Sequence, residues 1–263
     1  MENNLKLQEV VAIMDRSGSM AGKVSDSIGG FNSTLEILRE QQDKDSQINV
    51  SVKLFDHEEK ILIRSIPLSD VRPLEERQFI PRGQTALLDA MGNTLTYFME
   101  KKLLNPNAYD CCTIYVVTDG LENASKRFSK NKIKEMVTTA ETTYNIKVIY
   151  LGANQDAILE AGNLGINADQ AINYSESSEE TKAAYRGAAA MVARHRSDEP
   201  VKFLDIERTA SQGTQTLNSN RTQGTQTENN SFMSNQAIPR FTVGAPPPVV
   251  RQTSSRIIRP SYS

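Results

Sequence analysis

Two apolar segments, Leu7 to Met14 and Cys111 to Thr118, each run directly into an aspartate, Asp15 and Asp119. A strand that faces water on one side alternates polar and apolar residues, whereas a near-continuous apolar strand must be covered on both faces, as in a parallel sheet between helices. The intervening sequence supplies the cover. Val24, Ile28, Phe31, Leu35 and Leu38 recur at helical spacing and predict a helix over 23–41, with further helices at 85–103, 129–143, 154–162 and 179–194. Ile48 to Phe55 and Lys60 to Ile66 alternate around the polar stretch Asp56-His57-Glu58-Glu59, a hairpin that puts one antiparallel strand at the sheet edge. Additional strands are expected at 146–151 and near Ala171. Strands separated by helices of this length require right-handed parallel crossovers. The expected fold class is therefore α/β, three-layered, with a mostly parallel central sheet and helices on both faces.

The pattern ends near residue 197. From Thr209 to Ser263 there are five arginines, no lysine and one acid, so this stretch is +4 and the rest of the 263-residue chain is −6. Of these 55 residues, 35 are Ser, Thr, Asn, Gln, Gly or Pro, too few apolar groups to offset the entropy of ordering. The expectation is a folded domain over 1–197 and a disordered tail over 198–263. A net charge of −2 argues against a chain built to neutralise phosphate backbones, so no nucleic-acid partner is expected. No apolar stretch approaches the roughly 18 to 20 residues of a membrane helix, so no membrane partner is expected either. The first residues, Met-Glu-Asn-Asn-Leu-Lys, lack the basic start and apolar block of a secretory signal. The two cysteines, Cys111 and Cys112, are adjacent within an apolar run and poorly placed to staple distant segments. Both features point to a cytoplasmic, reducing setting.

In an open parallel sheet, ligands bind beyond the carboxyl ends of the strands. There the first strand runs out into Asp15-Arg16-Ser17-Gly18-Ser19, the second apolar strand into Thr118-Asp119-Gly120, and the loop before the second long helix carries Arg82-Gly83-Gln84-Thr85. Two carboxylates and three hydroxyls, without a histidine or thiol among them, suit a hard cation such as Mg²⁺ and disfavour zinc. Two aspartates barely neutralise a divalent ion, and the octahedral geometry Mg²⁺ demands leaves a position for a carboxylate brought by a partner. Each residue also has a plain structural role: Ser17, Ser19 and Thr85 as helix caps, Asp119-Gly120 as a turn. These positions are expected at an exposed rim.

Taken together, Asp15-Arg16-Ser17-Gly18-Ser19, Thr85 and Asp119-Gly120 resemble the metal-ion-dependent adhesion site (MIDAS) of von Willebrand factor type A (vWA) domains. The segments Gly29-Gly30-Phe31-Asn32, Thr85 to Ala90, Thr118 to Ser125 and Leu151 to Asn154 look like the stand-alone intracellular members found in microbes and their viruses. The likeness spans about residues 5 to 195 and implies a Rossmann-like vWA fold and a non-enzymatic protein-binding module carrying Mg²⁺ or Mn²⁺. By that resemblance Asp15, Ser17, Ser19, Thr85 and Asp119 hold the metal, Ser17, Ser19 and sometimes Thr85 directly and the aspartates often through water, and a partner protein supplies a Glu or Asp.

Other signals are weaker. His57 falls in the hairpin turn and His195 at the end of the last helix, and neither is paired with a nucleophile by spacing. The glycine-rich phosphate loops are absent, so no nucleotide is implied. A metal-dependent hydrolase lacks a visible general base. In the tail, Gln212-Gly213-Thr214-Gln215-Thr216 recurs as Gln223-Gly224-Thr225-Gln226-Thr227, and Thr-Gln-Thr resembles the anchor bound by dynein light chain hubs. That alternative makes the chain a scaffold whose tail segments add strands to a partner's sheet edge.

Overall fold

The computed structural model describes residues 5–153, 156–175 and 177–212, all within one compact unit, Met1–Leu217. Its strands are β1 (Lys6–Asp15), β2 (Ser46–Phe55), β3 (Glu59–Pro67), β4 (Cys111–Thr118), β5 (Ile146–Ala153) and β6 (Ala171–Tyr174). The helices are α1 (Val24–Gln41), α2 (Leu87–Leu104), α3 (Lys130–Thr143), α4 (Ala157–Asn163), α5 (Ser178–Arg196) and α6 (Asp205–Gln212). The sheet order is β3-β2-β1-β4-β5-β6. Every neighbouring pair is parallel except β2 with β3, the expected antiparallel edge hairpin.

Alternation along β1 divides the core in two, because successive side chains leave opposite faces of a strand. Val10, Ala12 and Met14 pack with Phe31, Leu35 and Leu38 of α1 and Ala188 and Met191 of α5. Val11 and Ile13 pack on the other face with Leu95 and Phe98 of α2 and Ile133 and Val137 of α3. This is the three-layer arrangement that two doubly covered strands demand. Even the acid in β1 is buried: Glu9 is 0% exposed, and Lys101 reaches it from α2 at 2.5 Å. Cys111 and Cys112 are buried in β4 and unbridged.

The domain extends beyond the expected boundary at Ser197. Phe203 is buried, Arg194 of α5 pairs with Glu207 of α6 at 2.7 Å, and Ser211 donates to the Asn173 carbonyl of β6 at 2.8 Å. One short amphipathic helix was hidden by the polar composition that follows it. The remaining tail from Gly213 onward, with all of the Gln-Gly-Thr-Gln-Thr repeat except Gln212, lies outside the described residues. Among the described residues no helix is long and apolar enough to cross a membrane.

His195, in the last turn of α5, ties that helix to the sheet. Thr113 Oγ1 lies 2.8 Å from its Nδ1 and Asn145 Oδ1 lies 3.1 Å from its Nε2. Burial, then the positive charge of Lys147, holds its pKa down at about 4, with Asp198 opposing and Lys6 assisting. A folded state that refuses a proton the unfolded chain accepts loses stability as pH falls from about 6.5 towards about 4. Between pH 7.5 and pH 5 this single group is expected to cost about 2 kcal/mol. Urea midpoints at the two pH values should therefore differ more for the wild type than for His195→Gln, and an equal drop in both contradicts the assignment.

Candidate metal centre

Pairing register places the carboxyl ends of β1 and β4 side by side. Met14 lies opposite Val117, so Asp15 and Thr118 come level, and Thr118 donates its hydroxyl to Asp15 Oδ2 at 2.7 Å. The other oxygen, Oδ1, accepts the Ser17 backbone N–H at 2.7 Å, which folds the following loop back over the strand end. Ser17 Oγ and Ser19 Oγ are then 3.1 Å apart, and Ser19 donates to Asp119 Oδ1 at 2.7 Å. The two aspartates and two serines thus form one connected cluster built from the ends of β1 and β4.

Thr85 joins from the third loop, and Gly120 measures the convergence. A Cβ built on Gly120 would sit 3.1 Å from Thr85 Oγ1, 3.6 Å from Ser19 Oγ and 3.8 Å from Asp15 Oδ2. Oxygens from two segments, the Asp15–Ser19 loop and Thr85, therefore face the third, the Asp119-Gly120 turn, across a space that a side chain at Gly120 would enter. All five residues expected at the site are brought together. The donor set is wholly oxygen, as a hard cation requires.

The expected capping roles are not the ones these residues play. The helix after Thr85 begins at Leu87 with Ala86 at its N-cap and no side-chain cap. Ser17 precedes a short 3-10 turn, Gly18–Gly22, again without a side-chain cap hydrogen bond. The hydroxyls are thus not consumed by helix ends. The exposed rim expected for the carboxylates is also corrected. Asp15 is 0% exposed and the Asp119 side chain 1%. Burial is the main reason the Asp15 carboxyl is pushed up to about 6, against the hydrogen bonds from Thr118 and Ser17, with repulsion from Asp119 adding to it.

Several residues that hold this geometry were not singled out from the sequence. Asn123 accepts the Thr85 N–H at 2.9 Å and returns its own N–H to the Thr85 carbonyl at 3.0 Å. Glu122 accepts the Leu88 N–H at 2.9 Å and the Ser125 N–H at 2.7 Å, while Asp89 accepts the N–H groups of Lys126, Arg127 and Phe128. This reciprocal clamp locks the loop that carries Asp119 onto the start of α2. On the other side, Arg16 pairs with buried Asp56 at 2.9 Å, and Arg82 donates its N–H to the Arg16 carbonyl at 2.9 Å. Gly83 follows at φ +66, with the His57 ring where a side chain would project, so only glycine fits this turn.

Asp56, His57 and Glu58 offer ligand atoms within 4.8 Å of one another, a second grouping that could hold a metal. Its charge is already compensated. Asp56 is paired with both Arg16 and Arg82, and Glu58 with Arg82, so the cluster serves to bind loops together.

No protein-family model matches this sequence, and no curated protein matches it. The fold has solved counterparts. The vWF domain of the type V pili tip protein Mfa5 from Porphyromonas gingivalis is 12% identical, with a TM-score of 0.51 over 72% of this chain and 95% of that one. A von Willebrand factor type A protein from Catenulispora acidiphila is 14% identical, with a TM-score of 0.51 over 73% of this chain and 43% of that one. The pilus adhesin SpaC from Lactobacillus rhamnosus GG, in an open conformation, is 12% identical, with a TM-score of 0.54 over 73% of this chain and 30% of that one. This chain spans less than half the length of the latter two proteins. At such identities the likeness establishes architecture: the chain has a von Willebrand factor type A fold.

Lys23 is the remaining charge at the centre. Its ammonium lies 2.7 Å from Asp119 Oδ2. A lysine in front of α1 runs against the helix dipole, and the carboxylate compensates it here. A fixed positive charge beside a metal-site aspartate opposes a divalent cation and favours an incoming anion. Lys23→Met is therefore expected to tighten Mg²⁺ binding at least about tenfold, since a unit charge this close to a divalent ion opposes it by about 1 kcal/mol or more even at the dielectric of bulk water. Calorimetric titration of Mg²⁺ into the two proteins checks this, and unchanged or weaker binding by the variant contradicts it.

Proposed function

We propose that this chain is a non-enzymatic, divalent-metal-dependent protein-binding module acting inside the cell. Mg²⁺ or Mn²⁺ would be held by Asp15, Ser17, Ser19, Thr85 and Asp119, and an acidic side chain of a partner protein would complete the coordination. The observation that carries this reading is the meeting of three loops at one point: the Asp15 and Ser19 oxygens from the first and Thr85 Oγ1 from the second lie within 3.8 Å of a Cβ built on Gly120, whose neighbour Asp119 accepts from Ser19. The bound ion would supply a Lewis-acidic anchor for a foreign carboxylate.

The protein's own residues do the rest. Thr118 and the Ser17 N–H fix both oxygens of Asp15, so its carboxylate is oriented before any ion arrives. Ser19 holds Oδ1 of Asp119 and Lys23 its Oδ2, and the Asn123 bonds fix the Thr85 backbone. Preorganisation of this kind removes ordering costs from the binding step. A fold shared with a pilus adhesin and a pilus tip domain agrees with this reading.

The test separates metal from partner. Wild-type protein should bind one Mg²⁺ by calorimetry, and Asp119→Asn should weaken that binding at least a hundredfold. Asp15→Asn should do likewise while keeping the shape that Asp15→Ala would lose, because the alanine leaves the Ser17 N–H without its acceptor in a buried site. Partner capture from a lysate should require Mg²⁺, fail in EDTA and fail with Asp119→Asn. Unaltered Mg²⁺ affinity in both variants, or capture indifferent to EDTA, overturns the proposal.

A further inference from the structure

A groove lies between the edge hairpin, β2 and β3, and α2. Ile61 of β3 and Tyr97 and Phe98 of α2 form its apolar walls, and the groove encloses about 400 Å³. That volume lies within the range of small-molecule pockets, and the composition matches them: apolar walls with a few polar groups. Ile61 is 46% and Tyr97 37% exposed, so apolar surface is open to solvent here.

The charges in the groove are unequal. Lys53, Arg64 and Arg127 line it against a single acid, Glu59. Glu59 is already committed, to Lys53 at 2.5 Å and to the Asn93 amide. Among the described residues neither arginine has a carboxylate partner. Arg64 stacks over the Tyr97 ring at 5.2 Å, and Arg127 lies 5.8 Å from the Phe128 ring, contacts that leave guanidinium N–H donors uncommitted to an acid. The Lys53 ammonium reports the local field. Burial holds it below the ordinary lysine range, Glu59 pulls it back up, and the positive charges of Arg64 and Arg127 push it down.

We propose that this groove, separate from the metal centre, binds a small organic anion with an apolar body, its acidic group held by Arg64 and Arg127 and its hydrocarbon frame against Ile61, Tyr97 and Phe98. An uncharged apolar ligand would leave two cations facing a desolvated neighbour, and a cationic one would add a third repulsion. An inorganic anion would leave the apolar walls wet. The amphipathic anion alone matches both properties.

Calorimetric titration of the full chain with 2-naphthoate, 2-naphthamide and 2-naphthylmethylammonium tests this. The carboxylate is expected to bind at least tenfold more tightly than the isosteric amide, and the ammonium compound and inorganic phosphate not measurably. The double variant Arg64→Gln, Arg127→Gln changes exposed side chains and should keep its melting temperature, yet lose the preference for carboxylate over amide. Tyr97→Ser should weaken both ligands together. The proposal is overturned by absence of naphthoate binding, by equal affinity for carboxylate and amide in the wild type, or by a preference that survives the double arginine variant.

Discussion

Everything at the candidate centre depends on β1 lying parallel and adjacent to β4. In that register two chain segments separated by about a hundred residues end at the same level, so Asp15 and the Thr118-Asp119 pair arrive together without any loop having to search for the other. The pairing is enforced by burial. Both strands are covered on both faces, and a slip by one residue would exchange the side chains that pack against α1 and α5 with those that pack against α2 and α3. The hydrophobic pattern of two strands thus sets the position of two carboxylates.

Placing carboxylates at the end of a buried sheet has an electrostatic consequence. Asp15 is enclosed, and its carboxyl is shifted towards neutrality by desolvation despite two hydrogen bonds. A cation relieves that unfavourable state, and Lys23 provides part of the relief at Asp119. Around this core the loops are fixed by backbone hydrogen bonds to Asp56, Asp89, Glu122 and Asn123, so the oxygens keep their relative positions independently of a ligand. Asp56, Asp89 and Glu122 act as loop fasteners, their charges answered by arginine or backbone N–H groups.

Much of this was legible in the sequence because the governing signals are local. Apolar runs and helical spacing gave the strands and helices to within a few residues, and the polar stretch 56–59 marked the one antiparallel hairpin. The five oxygen donors were readable because strand ends in a parallel sheet are a known place for them. Other features depend on contacts between distant segments. Thr85 looked like a helix cap until Glu122 took that function, and Asp15 looked exposed until Thr118 and the covering loop enclosed it. α6 was lost in the polar composition beyond it, although Phe203 and Glu207 carry its docking. Lys23 offered one clue, a positive charge at the wrong end of a helix, a local conflict of the kind that marks functional positions.

The most direct measurement is a crystal structure of the protein grown with Mn²⁺, using the metal's anomalous scattering to locate it. The account predicts a single strong peak beside Gly120, bounded by the oxygens of Ser17, Ser19 and Thr85 with Asp15 and Asp119 behind them. A peak at Asp56, His57 and Glu58 instead, or Ser19 and Thr85 turned away from a common point, would contradict it.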